Sequence, residues 1–229
     1  MSWTPINGVY MDEHYNLVYP KGSSLLDGVD SEVLEVTDEH WGQFPPQHPL
    51  INHFVGISYF FLWVVNVLGN GSVMYIFLKV KALRTPSNMF VVNLAISDFC
   101  MMLSQAWPVI INSFTQRYWM WGKLGCQLYG ATGAITGVCS ILTMVAIGYD
   151  RYNVIVKGFA GTKITPVRAL LIVVLIWAYS VGICIGPFFG WGAYKTEGTL
   201  ISCSYDFISR VGDLKDSLCP ELLCFFTED

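Results

Sequence analysis

Two carboxylates stand where apolar sequence makes a charge expensive, and each suggests a chemistry. Asp98, in VVNLAISDF, interrupts an otherwise uncharged stretch. In a membrane helix such an acid costs at least a few kcal/mol unless it faces other helices and finds partners. It reads either as an ion or water site or as a structural hydrogen bond to Asn70 of LGNGS or to Asn93. Asp150 is followed by Arg151 and Tyr152 directly after residues 124–149, a run with no Asp, Glu, Lys, Arg or His. Alone, that pair is a solvated helix end; as a device, it is an ion pair that can break. Gly133 and Gly137 of GAITG let a neighbouring helix, or a ligand, come close. Cys126 at the start of the third apolar stretch and Cys203 in the polar segment after the fourth either form a disulfide or stay as free thiols, whereas Cys100, Cys139 and Cys184 lie within apolar stretches. Cysteine, histidine and acidic residues do not converge at metal or triad spacing, so neither a metal site nor an enzyme is expected. His14, His40, His48 and His53 all fall before or at the first apolar stretch.

The elements that position these residues follow from composition. Of 229 residues 53% are hydrophobic and 13% charged, against about a quarter charged in a soluble domain. Apolar segments at 54–78, 89–114, 124–149 and 167–191 are each long enough to cross a hydrocarbon core of roughly 30 Å, which predicts four spans. The link between the first two carries Lys79, Lys81 and Arg84, and that between the last two carries Arg151, Lys157, Lys163 and Arg168. The opposite loops are poorer in basic residues, so the positive-inside rule predicts cytoplasmic links and an outside amino terminus. The expected organisation is an extracellular acidic tail at 1–50, four spans with their loops at 51–192, an extracellular loop at 193–210 and a divergent tail at 211–229. The net charge of −4 comes largely from the first segment, and without clustered Lys and Arg no nucleic-acid partner is expected. The NGS sequon at Asn70 lies inside a span and is discounted.

Taken in order, Asn70 of LGN, Asp98 of NLAISD, Cys126 above the third span, DRY below it and Trp177 in the fourth resemble the rhodopsin-like G-protein-coupled receptors. The stretches HWGQFPPQHPL, LRTPSNMFVVNLAISDF, YDRYNVIVKG and GPFFGWGAYKTEGTLISCSYDF are similar to arthropod rhabdomeric opsins, and the resemblance covers roughly residues 40–210. It implies an all-α membrane protein comprising the first four transmembrane helices of an incomplete seven-helix bundle. It also implies visual photoreception, a retinal chromophore, a heterotrimeric G-protein partner and an opsin's plasma or rhabdomeric membrane. Asp150, Arg151 and Tyr152 would form the inner-face switch, Cys126 and Cys203 the disulfide, and Asn70 with Asp98 an intramembrane polar network. Tyr129 occupies the place where vertebrate visual opsins carry a carboxylate, which leaves Glu197 as the candidate counterion. Tyr129, Gly133, Ala134, Gly137 and Gln105 are the pocket candidates, and Gln105 in place of the lysine common in insect ultraviolet opsins argues against ultraviolet tuning.

The departures are as specific as the matches. Opsins hold retinal on a lysine of the seventh helix, whereas Lys21, Lys79, Lys81, Lys123, Lys157, Lys163, Lys195 and Lys215 are expected in the tail or loops. No covalent retinal lysine, and hence no covalently bound retinal, is expected in this chain, and VGDLKDSLCPELLCFFTED does not resemble the approach to a fifth helix. The sequence therefore reads as an opsin truncated after the fourth helix, non-functional alone and retained in the endoplasmic reticulum. The alternatives are a short isoform that pairs with full-length opsin and a rhodopsin-like receptor for a diffusible ligand.

Overall fold

The computed structural model describes residues 4–6, 9–12, 17–20, 24–27, 29–157 and 164–208. Four helices carry the architecture: α2 (Pro49–Lys79), α3 (Pro86–Thr115), α4 (Gly122–Ile155) and α5 (Pro166–Cys184). Each is long and apolar enough to cross a membrane. Three of the four start on proline, whose missing N–H is not needed in the first turn. The cap before each proline accepts a backbone N–H: His48 from Leu50, Thr85 from Asn88 and Thr165 from Arg168. Gln116, left-handed at φ 55°, ends α3.

Helix order in space follows chain order, α2 against α3, α3 against α4 and α4 against α5, with a further α3–α5 contact. The most apolar stretch of α2 has no buried residue, against 28% for α3 and 33% for α4, so α2 lies at the edge while α3 and α4 are central. A helix apolar on every side at an edge needs lipid around it.

Several boundaries differ from the sequence expectation. The fourth span stops at Cys184 rather than 191, because Pro187 cannot continue the ladder; Gly186–Phe189 forms a 3-10 turn and Gly190, at φ 86°, reverses the chain. Two lysines expected in loops are helical: Lys79 is the last residue of α2 and Lys123 the second of α4. Helices extend beyond their apolar stretches as long as backbone bonds continue.

The segment expected as a polar tail contains structure. Strands β1 (Thr4–Ile6), β2 (Val9–Asp12) and β3 (Leu17–Pro20) form an antiparallel sheet in the order β1-β2-β3, and α1 (Ser31–Leu34) follows. After α5, β4 (Tyr194–Thr196) and β5 (Cys203–Tyr205) pair as an antiparallel hairpin. The residues around α1 clamp this hairpin. Thr196 N donates to Val36 O at 2.9 Å, and the Thr37 and Thr196 hydroxyls lie 2.8 Å apart. Val33, Val36, Val109, Trp119, Tyr129 and Ile201 meet in one buried cluster at this end. Burial of each valine contributes about 1.5–3 kcal/mol, enough to hold the segment down. The tail at 211–229 lies outside the described residues.

Candidate functional site

At the hairpin end, Cys126 of α4 and Cys203 of β5 are disulfide-bonded, with Cα atoms 5.4 Å apart. Two further ties come from α3 and the loop after it: Asn112 Nδ2 donates to Ile201 O at 3.0 Å, and Trp119 N to Leu200 O at 2.6 Å. These fix the turn between β4 and β5, where Glu197 sits. Ser202 Oγ donates to Glu197 Oε2 at 2.7 Å, while Glu197 N donates to Ser202 O at 3.0 Å. Its carboxylate lies within electrostatic reach of Tyr59 on α2 and Tyr129 on α4. A negative charge is thus held over the bundle by a serine that sequence reasoning missed; only its place next to Cys203 could have signalled it.

The pocket candidates separate. Gln105 Nε2 donates to Tyr129 O at 2.9 Å and Tyr129 Oη to Gln105 O at 3.3 Å, so both are engaged in packing α3 on α4. Gly133 belongs to that contact: a Cβ there would come within 3.0 Å of the Gln105 amide. Its small size serves helix packing, not an open wall. Gly137 differs, since a Cβ added to it meets nothing within 4 Å. With Ala134 half-buried one turn away, α4 keeps a small-residue surface at this level.

Lys195 of β4 lies 2.9 Å from Asp206 Oδ2 and 3.2 Å from Asp38 Oδ2, linking the hairpin to the α1 segment. Burial alone would lower its ammonium, but the hydrogen bonds and charges of Asp206 and Asp38 together hold it above the usual lysine value. Burial pushes the Tyr194 phenol up, with Cys184 and Tyr205 adding to the shift.

Within the bundle, Ser140 Oγ donates to Asp98 Oδ1 at 2.6 Å, and Ser97 Oγ lies 2.8 Å from Ser140 Oγ. Among the described residues no direct hydrogen bond joins Asp98 to Asn70 or Asn93, its two candidate partners. A shorter serine on the facing helix reaches the acid first. Asn93 instead donates to Thr143 Oγ1 at 2.8 Å and accepts from Trp177 Nε1 at 2.8 Å, joining α3, α4 and α5.

At the opposite end Asp150 is 7% exposed and accepts from Ser87 Oγ at 3.1 Å. Arg151 Nε stands 4.0 Å from Asp150 Oδ2, the outer limit of an ion pair, with its side chain 48% exposed. Tyr152 is half-exposed under Lys157, whose Nζ is 5.6 Å from the ring centre. The acid is therefore pinned to α3 and the arginine left accessible. Among the described residues no histidine, cysteine and carboxylate cluster could hold a metal.

The family described as "7 transmembrane receptor (rhodopsin family)" matches residues 69–226, past Arg210. Compound eye opsin BCRH1 of Hemigrapsus sanguineus is 43% identical over 209 residues, covering 91% of this chain and 55% of that protein. The rhodopsin of Cataglyphis bombycina is 46% identical over 187 residues, 82% of this chain and 49% of that one. Among solved structures, squid rhodopsin is similar at a TM-score of 0.76 and 39% identity, covering 83% of this chain and 51% of that one. The chain spans about half the length of the relatives it matches.

Proposed function

Because the chain belongs to the rhodopsin family of seven-transmembrane receptors, an integral-membrane family of receptors rather than enzymes, we propose that it supplies the first four helices of a visual, light-sensing opsin. The observation that carries this reading is Glu197, held by Ser202 on a hairpin that a disulfide fastens to α4. Retinal, when bound, would supply the light-absorbing cationic polyene; Glu197, held by Ser202, would face that cation, and Ala134 and Gly137 would leave the polyene room. A carboxylate close to the cation favours the cation's charged form.

None of the described lysines lies in a helix interior. Lys79 and Lys123 are at helix ends, Lys81 opens a short 3-10 turn, Lys157 and Lys195 lie outside the helices, and Lys21, Lys163 and Lys215 fall outside the described residues. Among the described residues the chain therefore provides the counterion side without a lysine in a helix interior. The amino terminus and hairpin lie outside the cell, as the basic ends of α2 and α5 require. The Asp150–Arg151 end then faces a heterotrimeric G protein. Ile141, Met144 and Val145 of α4 share one face and are each more than half exposed, which supports further helices packing there.

Split-receptor reconstitution tests the reading. The chain is co-expressed with a carboxy-terminal three-helix fragment of the Hemigrapsus opsin and incubated with retinal. A visible absorption band should require both fragments, and Glu197→Gln should make it bleach at lower pH. The chain alone should give no denaturation-resistant chromophore. No band from a complex whose Cys126–Cys203 disulfide has formed would overturn the proposal.

A further inference from the structure

At the Arg84 end of the bundle, α2, α3 and α5 border an apolar groove of about 580 Å³, within the roughly 300–1,000 Å³ of small-molecule sites. Met74, Phe77, Val92, Ile96 and Val173 line it, and Arg84 closes its polar end. It opens away from the bundle: Leu78 on its rim is 71% exposed and Ile96 39%. In a bilayer that opening meets acyl chains, not water.

The arginine at its mouth is fixed and unneutralised. Arg84 Nε donates to Phe77 O at 3.2 Å, and Nη2 donates to Leu78 O. Those bonds use two of the guanidinium's five N–H donors and leave the others free to bind. Among the described residues no carboxylate lies within ion-pair distance of Arg84, Lys79 or Lys81. A second groove of about 500 Å³, between α4 and α5, provides the contrast. It is equally apolar, but its wall carries Asp150 together with Arg168, so an anion gains little there.

We infer that the Arg84 groove binds an anionic phospholipid: one acyl chain lies along Phe77, Val92 and Ile96, Arg84 takes the phosphate, and Lys81 adds charge attraction. A zwitterionic lipid offers the same chain but no net charge for three uncompensated cations. The inference needs only that the four helices span a bilayer, and it is independent of light sensing, retinal and which end is inside.

The test is native mass spectrometry of the full chain, released from mixed phosphatidylserine and phosphatidylcholine nanodiscs, with the retained lipid counted. Phosphatidylserine should be retained at least tenfold over its share of the bilayer. Arg84→Gln and Lys81→Gln should each lower that preference about fivefold. Val92→Trp, which fills the groove and keeps every cation, should abolish it, while Arg168→Gln should leave it unchanged. Because Arg84 also caps α2, each variant is checked for its disulfide, and the exposed Lys81 and the groove-filling Val92 carry the test should Arg84→Gln misfold. Equal retention of both lipids, or an Arg168→Gln loss as large as that of Lys81→Gln, would show a bilayer-wide charge effect and overturn the site.

Discussion

Gly130 of α4 lies directly against the ring of Tyr194 in β4: a methyl group on this glycine would stand 2.8 Å from Tyr194 Cγ, well inside van der Waals contact. The ring has little freedom to retreat. Its Oη donates to Cys184 O at the end of α5 at 2.7 Å, and Phe188 and Tyr205 lie with ring centres 6.3 and 6.1 Å away. The hairpin that carries Glu197 is thus seated on α4 and α5 by shape as well as by the disulfide.

Gly130→Ala should therefore destabilise the hairpin end by about 1–3 kcal/mol, the usual cost of overpacking a close contact. Gly137→Ala, where a Cβ meets nothing within 4 Å, should change thermal stability by less than about 0.5 kcal/mol. Thermal unfolding of the two variants in the same detergent checks the difference. Equal effects would mean that Tyr194 yields more easily than its bond to Cys184 allows.

This contrast marks where sequence reading runs out. The four spans were legible because long uncharged runs have one stable solution in a bilayer. Asp150 and Asp98 stood out because each is a charge against apolar surroundings. Their partners did not, since Ser87 and Ser140 are common residues 63 and 42 positions away, and only the packing of α3 on α4 brings them in. Gly133 and Gly137 looked equivalent, and the rotation of α4 decides that one meets Gln105 and the other meets nothing. Gly130 carries no comparable sign in the sequence, because its partner Tyr194 lies beyond a whole helix. The end of α5 was misjudged by hydropathy, which does not register that Pro187 ends a helix.

The three-helix junction at Asn93 gives a second expectation. Asn93→Leu strands Trp177 Nε1 and leaves Thr143 without its donor. An orphaned buried donor costs about 1–3 kcal/mol. Trp177→Phe removes the other partner, so the double variant should lose less than the sum of the two single losses. A double-mutant cycle in thermal unfolding checks this, and strict additivity would show that the 2.8 Å bond contributes nothing.

Lys195 predicts an alkaline limit for the hairpin clamp. Its pKa is higher in the folded protein than in a free lysine, so the ion-pair contribution is fully present below the ordinary lysine value. It is lost as pH rises through the higher folded value, when the ammonium gives up its proton beside Asp206 and Asp38. Hydrogen exchange at residues 194–205 should rise above its intrinsic pH dependence in that alkaline window. Lys195→Met should remove the excess and lower protection at neutral pH. An identical pH profile for both proteins would rule out the clamp.

The disulfide sets the largest single expectation at this end. Cys126 and Cys203 are 77 residues apart, and closing a loop of that length in a fully unfolded chain contributes about 4.5 kcal/mol by chain entropy. A reduced chain whose α4 and α5 stay inserted is far from fully unfolded, so part of that closure is already made by the bilayer. Asn112 and Trp119 also continue to hold Ile201 and Leu200. Cys126→Ser with Cys203→Ser should therefore cost about 2–4 kcal/mol rather than the full value. The loss should be local: hydrogen exchange should accelerate in the hairpin and the α1 segment while α3 and the inner half of α4 keep their protection. Uniform acceleration across all four helices would mean that the bond holds the whole bundle, and no acceleration would mean that hydrogen bonds alone suffice to place Glu197.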